Sequence, residues 1–290
     1  MSMGKRAVWA GLDGFTASEA ASFCQRLEGW GYDTLWIPEG LGREPLSLAA
    51  WLLANTKTLT IATGITNIYG RDARTTRVAQ MALHEQSGGR FLLGLGVSHK
   101  PLVEGFRGHE YGKPIAAMTT YLDAMKQVQY MAPAPAEPPK TVIAALGPKM
   151  LEVARDRTDG AHPYLVTPEH TAEARRILGA GKLLCVEQKV ALETDPVKAR
   201  ALARKGIAIY LGLPNYRNNL LRLGFSAEEI DNGGGSDNLV DALVAWGDAA
   251  ALAKRVQAHL DAGADQVCIQ ALSDDGKPDE KALKALAPKG

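Results

Sequence analysis

Short apolar runs alternate with stretches of helical periodicity along the whole chain. The runs are Ala7-Val8-Trp9-Ala10-Gly11-Leu12, Thr34-Leu35-Trp36-Ile37, residues 59–66, Phe91-Leu92-Leu93-Gly94-Leu95-Gly96 and Thr141-Val142-Ile143-Ala144-Ala145. Three more follow at Gly160-Ala161-His162, at 183–192 and at Val267-Cys268-Ile269-Gln270. Runs of this length that end at Gly, Asn, His or Asp are predicted strands, buried on both faces. Helix starts are marked between them. Thr16 with Glu19 three residues on is a capping box, and Phe23, Leu27 and Trp30 follow at helical spacing. Pro148, Pro168 and Pro196 stand just after Gly147, Thr167 and Asp195, where a first helical turn tolerates proline. Further helices are predicted over 46–56, 74–86, 115–131 and 280–287. The proline-rich segment 132–139 is a connector, since each Pro removes a backbone donor.

Eight strands, each followed by a helical region, imply a parallel sheet. Eight evenly spaced units in about 270 residues suit a closed α/β architecture, the (β/α)8 TIM barrel, better than an open doubly wound sheet. The excess length falls in one insertion, about 210–246, between helix seven and strand eight. It carries a short amphipathic helix with its stop, from Asn215 to Phe225, and a hinge, Gly233-Gly234-Gly235-Ser236. Long insertions in compact domains are often lids, so this one is the predicted cover of the site within a single domain spanning 1–290.

Charge and cysteine narrow the class. The 290 residues hold 33 basic against 32 acidic side chains, a formal net charge of +1. That balance leaves no electrostatic footprint for nucleic acid, and no block of like charge marks a membrane surface. The apolar runs are too short to span a bilayer, and the start Met1-Ser2-Met3-Gly4 leads into the first strand without a signal-peptide core. Cys24, Cys185 and Cys268 are widely spaced in apolar runs with no CxxC pair, which predicts buried thiols in a reduced, cytoplasmic protein.

In a barrel the functional groups stand just past the strand ends. Those positions hold Asp13, Glu39, Asn67, His99, Gly147, His162, Glu193 and Gln270. No three have the spacing of a metal triad, so no metal is expected, and no Ser or Cys nucleophile stands beside a base. Gly94-x-Gly96 lacks the third glycine of a dinucleotide-binding turn, position 99 being His, and no helix is expected to open there. Gly147, just before a helix with Lys149 in its first turn, reads equally as an ordinary βα turn or as an anion site.

Several segments together carry a resemblance. They are Ala62-Thr63-Gly64-Ile65-Thr66-Asn67, Arg71-Asp72, the stretch from Ser87 to His99, Gly147-Pro148-Lys149-Met150, Asp159-Gly160-Ala161-His162-Pro163-Tyr164 and Asp261-Ala262-Gly263-Ala264-Asp265. The chain resembles the bacterial-luciferase-like flavin and deazaflavin oxidoreductases, and most of all the actinobacterial branch that uses coenzyme F420. The resemblance implies a TIM barrel, often a homodimer, with its cofactor against a bulge in strand three. A cis peptide at Gly64-Ile65 is implied in that bulge. Asn67 would lie beside it and Glu39 near the ring. Val97, Ser98 and His99 would contact cofactor or substrate, and Gly147, Pro148 and Lys149 would lie near the phosphate of the cofactor side chain. Gly40 stands where the family's sugar-phosphate dehydrogenases carry His, and His99 replaces their acidic group, so a sugar phosphate is not the expected substrate. The implied activity is hydride transfer between F420 and a small organic substrate. His99 is the first candidate proton carrier, followed by Glu39 and His162. An FMN-dependent monooxygenase and a non-catalytic cofactor-binding barrel are the alternatives.

Overall fold

A computed structural model describes residues 3–288; Met1, Ser2 and residues 289–290, the ends of the predicted 1–290 domain, lie outside them. The chain opens with β1 (Arg6–Trp9), α1 (Ala17–Gly29), β2 (Thr34–Ile37) and α2 (Pro45–Ala54). The third strand is broken into β3 (Thr60–Thr63) and β4 (Thr66–Asn67), and α3 (Ala73–Gln86) and β5 (Phe91–Gly96) follow. Next come α4 (Pro114–Lys126), β6 (Thr141–Ile143), α5 (Pro148–Arg157), β7 (Gly160–Ala161), α6 (Pro168–Leu178) and β8 (Leu183–Ala191). The remainder is α7 (Pro196–Leu211), α8 (Pro214–Arg222), α9 (Ala227–Asp231), α10 (Asp237–Leu243), β9 (Val244–Trp246), α11 (Ala249–Asp261), β10 (Gln266–Ala271) and α12 (Glu280–Ala285).

The caps read from sequence start these helices. Thr16 and Glu19 form the reciprocal capping box of α1, and Thr167 and Asp195 cap α6 and α7 ahead of their prolines. Every strand pairing is parallel, and β10 pairs with both β1 and β8, which closes the (β/α)8 barrel. Alternation along the strands separates two faces. Ala7, Trp9, Trp36, Ala62, Leu92, Cys185 and Cys268 pack together inside the ring. Val8, Leu35, Ile61, Phe91, Val186 and Ile269 pack outward against the helices. All three cysteines are free and buried.

Two glycines of β5 shape the bulge beside it. A Cβ on Gly94 would stand 1.9 Å from the Thr63 carbonyl oxygen, and one on Gly96 would stand 2.5 Å from the Ile65 side chain. The Gly94-x-Gly96 pattern is therefore a close-approach device for strand three. The sequence expectation that no helix opens behind it needs correction. A wide helical segment, Pro101–Phe106, follows His99 directly, with Arg107 N–H bonded to Leu102 O.

The region between β8 and β10 is a mouth cap. Residues of α7, α8, α9 and α10, among them Ile207, Leu220, Ile230 and Leu243, join the same apolar cluster as the barrel interior. The predicted insertion thus carries α8, α9, α10 and β9, and α7 packs with it. Helix α11, which carries His259, packs against β8 and β10 as the outer-layer helix of that unit. Among the described residues no helix is long and apolar enough to cross a membrane.

Candidate active site

A cavity of about 600 Å³ opens at the C-terminal ends of the strands. Its walls come from the strand-three bulge (Ile65), the residues behind β5 (Val97, Ser98, His99), the β6–α5 turn (from Ala144 to Met150), the segment behind β7 (His162, Tyr164) and one face of α8. The Gly64–Ile65 peptide is cis, as the resemblance implies. Three hydrogen bonds hold the bulge. Gly64 N–H donates to Ile37 O at 2.8 Å, Glu39 N–H donates to Ile65 O at 3.2 Å, and Trp9 Nε1–H donates to Gly64 O at 3.2 Å.

Ser98 adopts a left-handed backbone, φ 57°, which is uncommon for a residue other than glycine. It turns the chain out of β5, and its carbonyl accepts from the Tyr111 hydroxyl at 3.3 Å. The next residue, His99, lines the cavity with its ring 5.7 Å from that of Tyr216. Burial pulls the His99 pKa below its ordinary value, against an opposing pull from the Asn215 side chain. A neutral imidazole facing a cavity is a ready proton acceptor.

His162 is 1% exposed and stacked flat on Trp36, with ring centres 4.2 Å apart. A carbonyl only accepts, so the 2.8 Å contact to Cys185 O means that Nδ1 carries the proton and Nε2 is bare. Nε2 has no partner, and burial drops the pKa to about 4. The shift favours the neutral ring, whose bare Nε2 is an acceptor.

Glu39 sits in an ion-pair network. Its carboxylate is 4% exposed and accepts from Arg71 at 2.9 Å, Arg107 at 2.7 Å and the Asn67 backbone at 2.7 Å. Arg71 also pairs with Glu44 at 2.6 Å. With its oxygens so occupied, Glu39 fastens β2, β4 and the loop behind β5 together. Glu39, Gly64 and Asn67 do not line the cavity.

Gly147, Pro148 and Lys149 all line it, at the N-terminus of α5. Gly147 caps that helix with no side chain; Pro148 has no N–H and Met150 N–H donates to Gly147 O at 3.1 Å, so the first turn leaves the Lys149 N–H open. Lys149 is exposed and makes no ion pair among the described residues. Opposite, Arg222 of α8 pairs with Glu173 and donates to Asn219 Oδ1 at 2.8 Å. Asn219 is 4% exposed, and its Nδ2 has no partner.

Sequence reasoning missed the polar group beneath this wall. Glu187 and Lys189 share the inward face of β8 with Cys185 and are both fully buried, 3.2 Å apart. Lys189 Nζ also donates to Gln270 Oε1 at 3.1 Å and stands 3.9 Å from the Tyr164 ring centre. The Tyr164 hydroxyl donates to the same Gln270 oxygen at 2.9 Å and lies 2.9 Å from that of Tyr210. Burial raises the Glu187 pKa and lowers that of Lys189, while each partner's charge opposes the shift. Opposite charges at i and i+2 in an otherwise apolar strand were the available signal.

Comparisons with known proteins agree on one family. The profile described as luciferase-like monooxygenase matches residues 1–266. A 5,10-methylenetetrahydromethanopterin reductase of Methanolobus tindarius is 28% identical over 92% of this chain and 93% of its own length. A putative coenzyme F420-dependent oxidoreductase of Mycobacterium tuberculosis is 25% identical over 63% of this chain, and the match spans 65% of that protein, just under two thirds of it. Among solved structures, a coenzyme F420-dependent tetrahydromethanopterin reductase from Methanopyrus kandleri superimposes with a TM-score of 0.77 at 19% identity, covering 99% of this chain and 98% of that one.

Proposed function

The chain belongs to the luciferase-like monooxygenase family, and we propose that it is an oxidoreductase moving a hydride between coenzyme F420 and a small organic substrate. The observation that carries this reading is the cavity itself, floored by Ile65 of the cis bulge and walled by Val97, His99 and the Gly147 turn. The names of the relatives support the choice of cofactor.

The residues present fit such a group. The 600 Å³ cavity is lined mainly by apolar atoms around the bulge, as a flat heterocycle requires. The open N–H at the α5 N-terminus and the unpaired Lys149 side chain suit an anionic tail. When bound, the deazaflavin supplies the hydride-accepting and hydride-donating carbon of its central ring. The chain supplies the rest. Ile65 backs the ring, Ser98 sets the turn that presents His99, and His99 takes or returns the proton that accompanies the hydride.

The test is oxidation of reduced F420 by a panel of small carbonyl compounds, run with and without oxygen. The reading expects turnover with at least one carbonyl compound at a rate independent of oxygen. Consumption of oxygen with reduced FMN, and no oxidation of reduced F420 by any panel member, would overturn it.

A further inference from the structure

The cap contributes one phenol that the protein leaves without work. Tyr164, Tyr210 and Tyr216 pack as a cluster, with ring centres 5.1–6.2 Å apart. The hydroxyls of Tyr164 and Tyr210 are bonded to each other, and that of Tyr164 is bonded to Gln270 as well. Tyr216, from α8, is 8% exposed and lines the cavity, and its hydroxyl makes no hydrogen bond within the described residues. It is not among the buried atoms left without a partner, so the hydroxyl is reached from outside the protein. The ring cannot swing freely. Tyr210 meets it edge-on at 74° and His99 lies 5.7 Å away on the cavity side.

The charge around this phenol selects what it meets. No carboxylate lines the cavity, and its two cationic residues are Lys149 and Arg222. Arg222 is six residues along α8 from Tyr216, about 9 Å of helix rise. The groups nearest Tyr216 in the wall are neutral: His99, Asn215, Tyr164.

We propose that Tyr216 is a catalytic hydrogen-bond donor that, with His99, grips the oxygen of a neutral carbonyl or secondary-alcohol substrate. The inference rests on the F420 reading and adds the substrate class and a second residue. In the reducing direction the carbonyl carbon gains the hydride of the reduced deazaflavin. The π pair moves onto the oxygen, and the proton that completes the hydroxyl is passed on by His99, which first takes it up from solvent and returns to its neutral form. Tyr216 donates a hydrogen bond to the oxygen as charge develops and keeps its own proton. Burial raises its pKa well above the ordinary phenol value, consistent with a donor that does not ionise. In the oxidising direction the same atoms run in reverse, with His99 as acceptor.

Isobutyramide, an unreactive carbonyl analogue, is the probe. Its binding to the protein loaded with reduced F420 is measured by calorimetry for wild type and Tyr216→Phe, alongside fluorescence titration of F420 into each. Loss of one neutral hydrogen bond should weaken isobutyramide about 3- to 10-fold. F420 affinity and thermal unfolding should be unchanged, because the ring packing is kept. Equal isobutyramide affinity in the two proteins, or no isobutyramide binding by the F420-loaded wild type, would overturn the role of Tyr216 and leave the F420 reading standing. Failure of F420 itself to bind would overturn both.

Discussion

The Glu39 carboxylate accepts from Arg107 Nη2 at 2.7 Å, which ties the end of β2 to the loop that carries His99. The same carboxylate holds Arg71 and the backbone of β4, so one acidic side chain braces three parts of the mouth. Removing one partner from a buried ion pair leaves the others uncompensated. Glu39→Ala should therefore cost about 3 kcal/mol in urea unfolding. Proteolytic cleavage within 97–114 should rise with it. A change within about 0.5 kcal/mol, the range of an ordinary surface substitution, would contradict the bracing role.

The Glu187–Lys189 pair predicts a non-additive cycle. Each is fully buried, and each is the other's compensating charge. Glu187→Gln and Lys189→Met alone should each destabilise by about 3–5 kcal/mol, while the double variant should lose less than the sum. Strict additivity in urea unfolding would show that the two charges are not coupled.

Stability should fall as pH drops from 7 to 5. Burial lowers the pKa of His162 to about 4 and that of His259 to about 3, against about 6.5 in the unfolded chain. Between those values the unfolded chain binds protons that the folded chain refuses, so acid favours unfolding, by up to about 1.4 kcal/mol per pH unit for each histidine. From about one pH unit above 6.5 both states hold these rings neutral and the dependence should vanish. Unfolding free energies at pH 7, 6 and 5 that stay level would contradict the buried, neutral assignment.

Alternation made the barrel legible: the strands, their order and the caps at Thr16, Thr167 and Asp195 all follow from local pattern. The strand-end rule also found His99, which the structure places on the cavity wall. It was less able to say what a strand-end residue does. Glu39 and His162 are polar and stand past strand ends, yet the partners that hold them, Arg71, Arg107 and Cys185 O, are distant in sequence. Glu187 and Lys189 stayed invisible because a charge on a strand usually marks a solvent face. Only the shared parity with Cys185 points them inward, and only the fold supplies Gln270 and Tyr164 around them. Tyr216 became distinct from the other tyrosines once their hydroxyl partners were seen.

The central claim is that this cavity holds a deazaflavin, and parallel fluorescence titrations with F420 and FMN test it most directly. The account predicts saturable binding of F420, tighter than that of FMN, and weakened in Lys149→Ala by about 3-fold or more as one charged contact to the tail is lost. Saturable FMN binding with no F420 binding would contradict it.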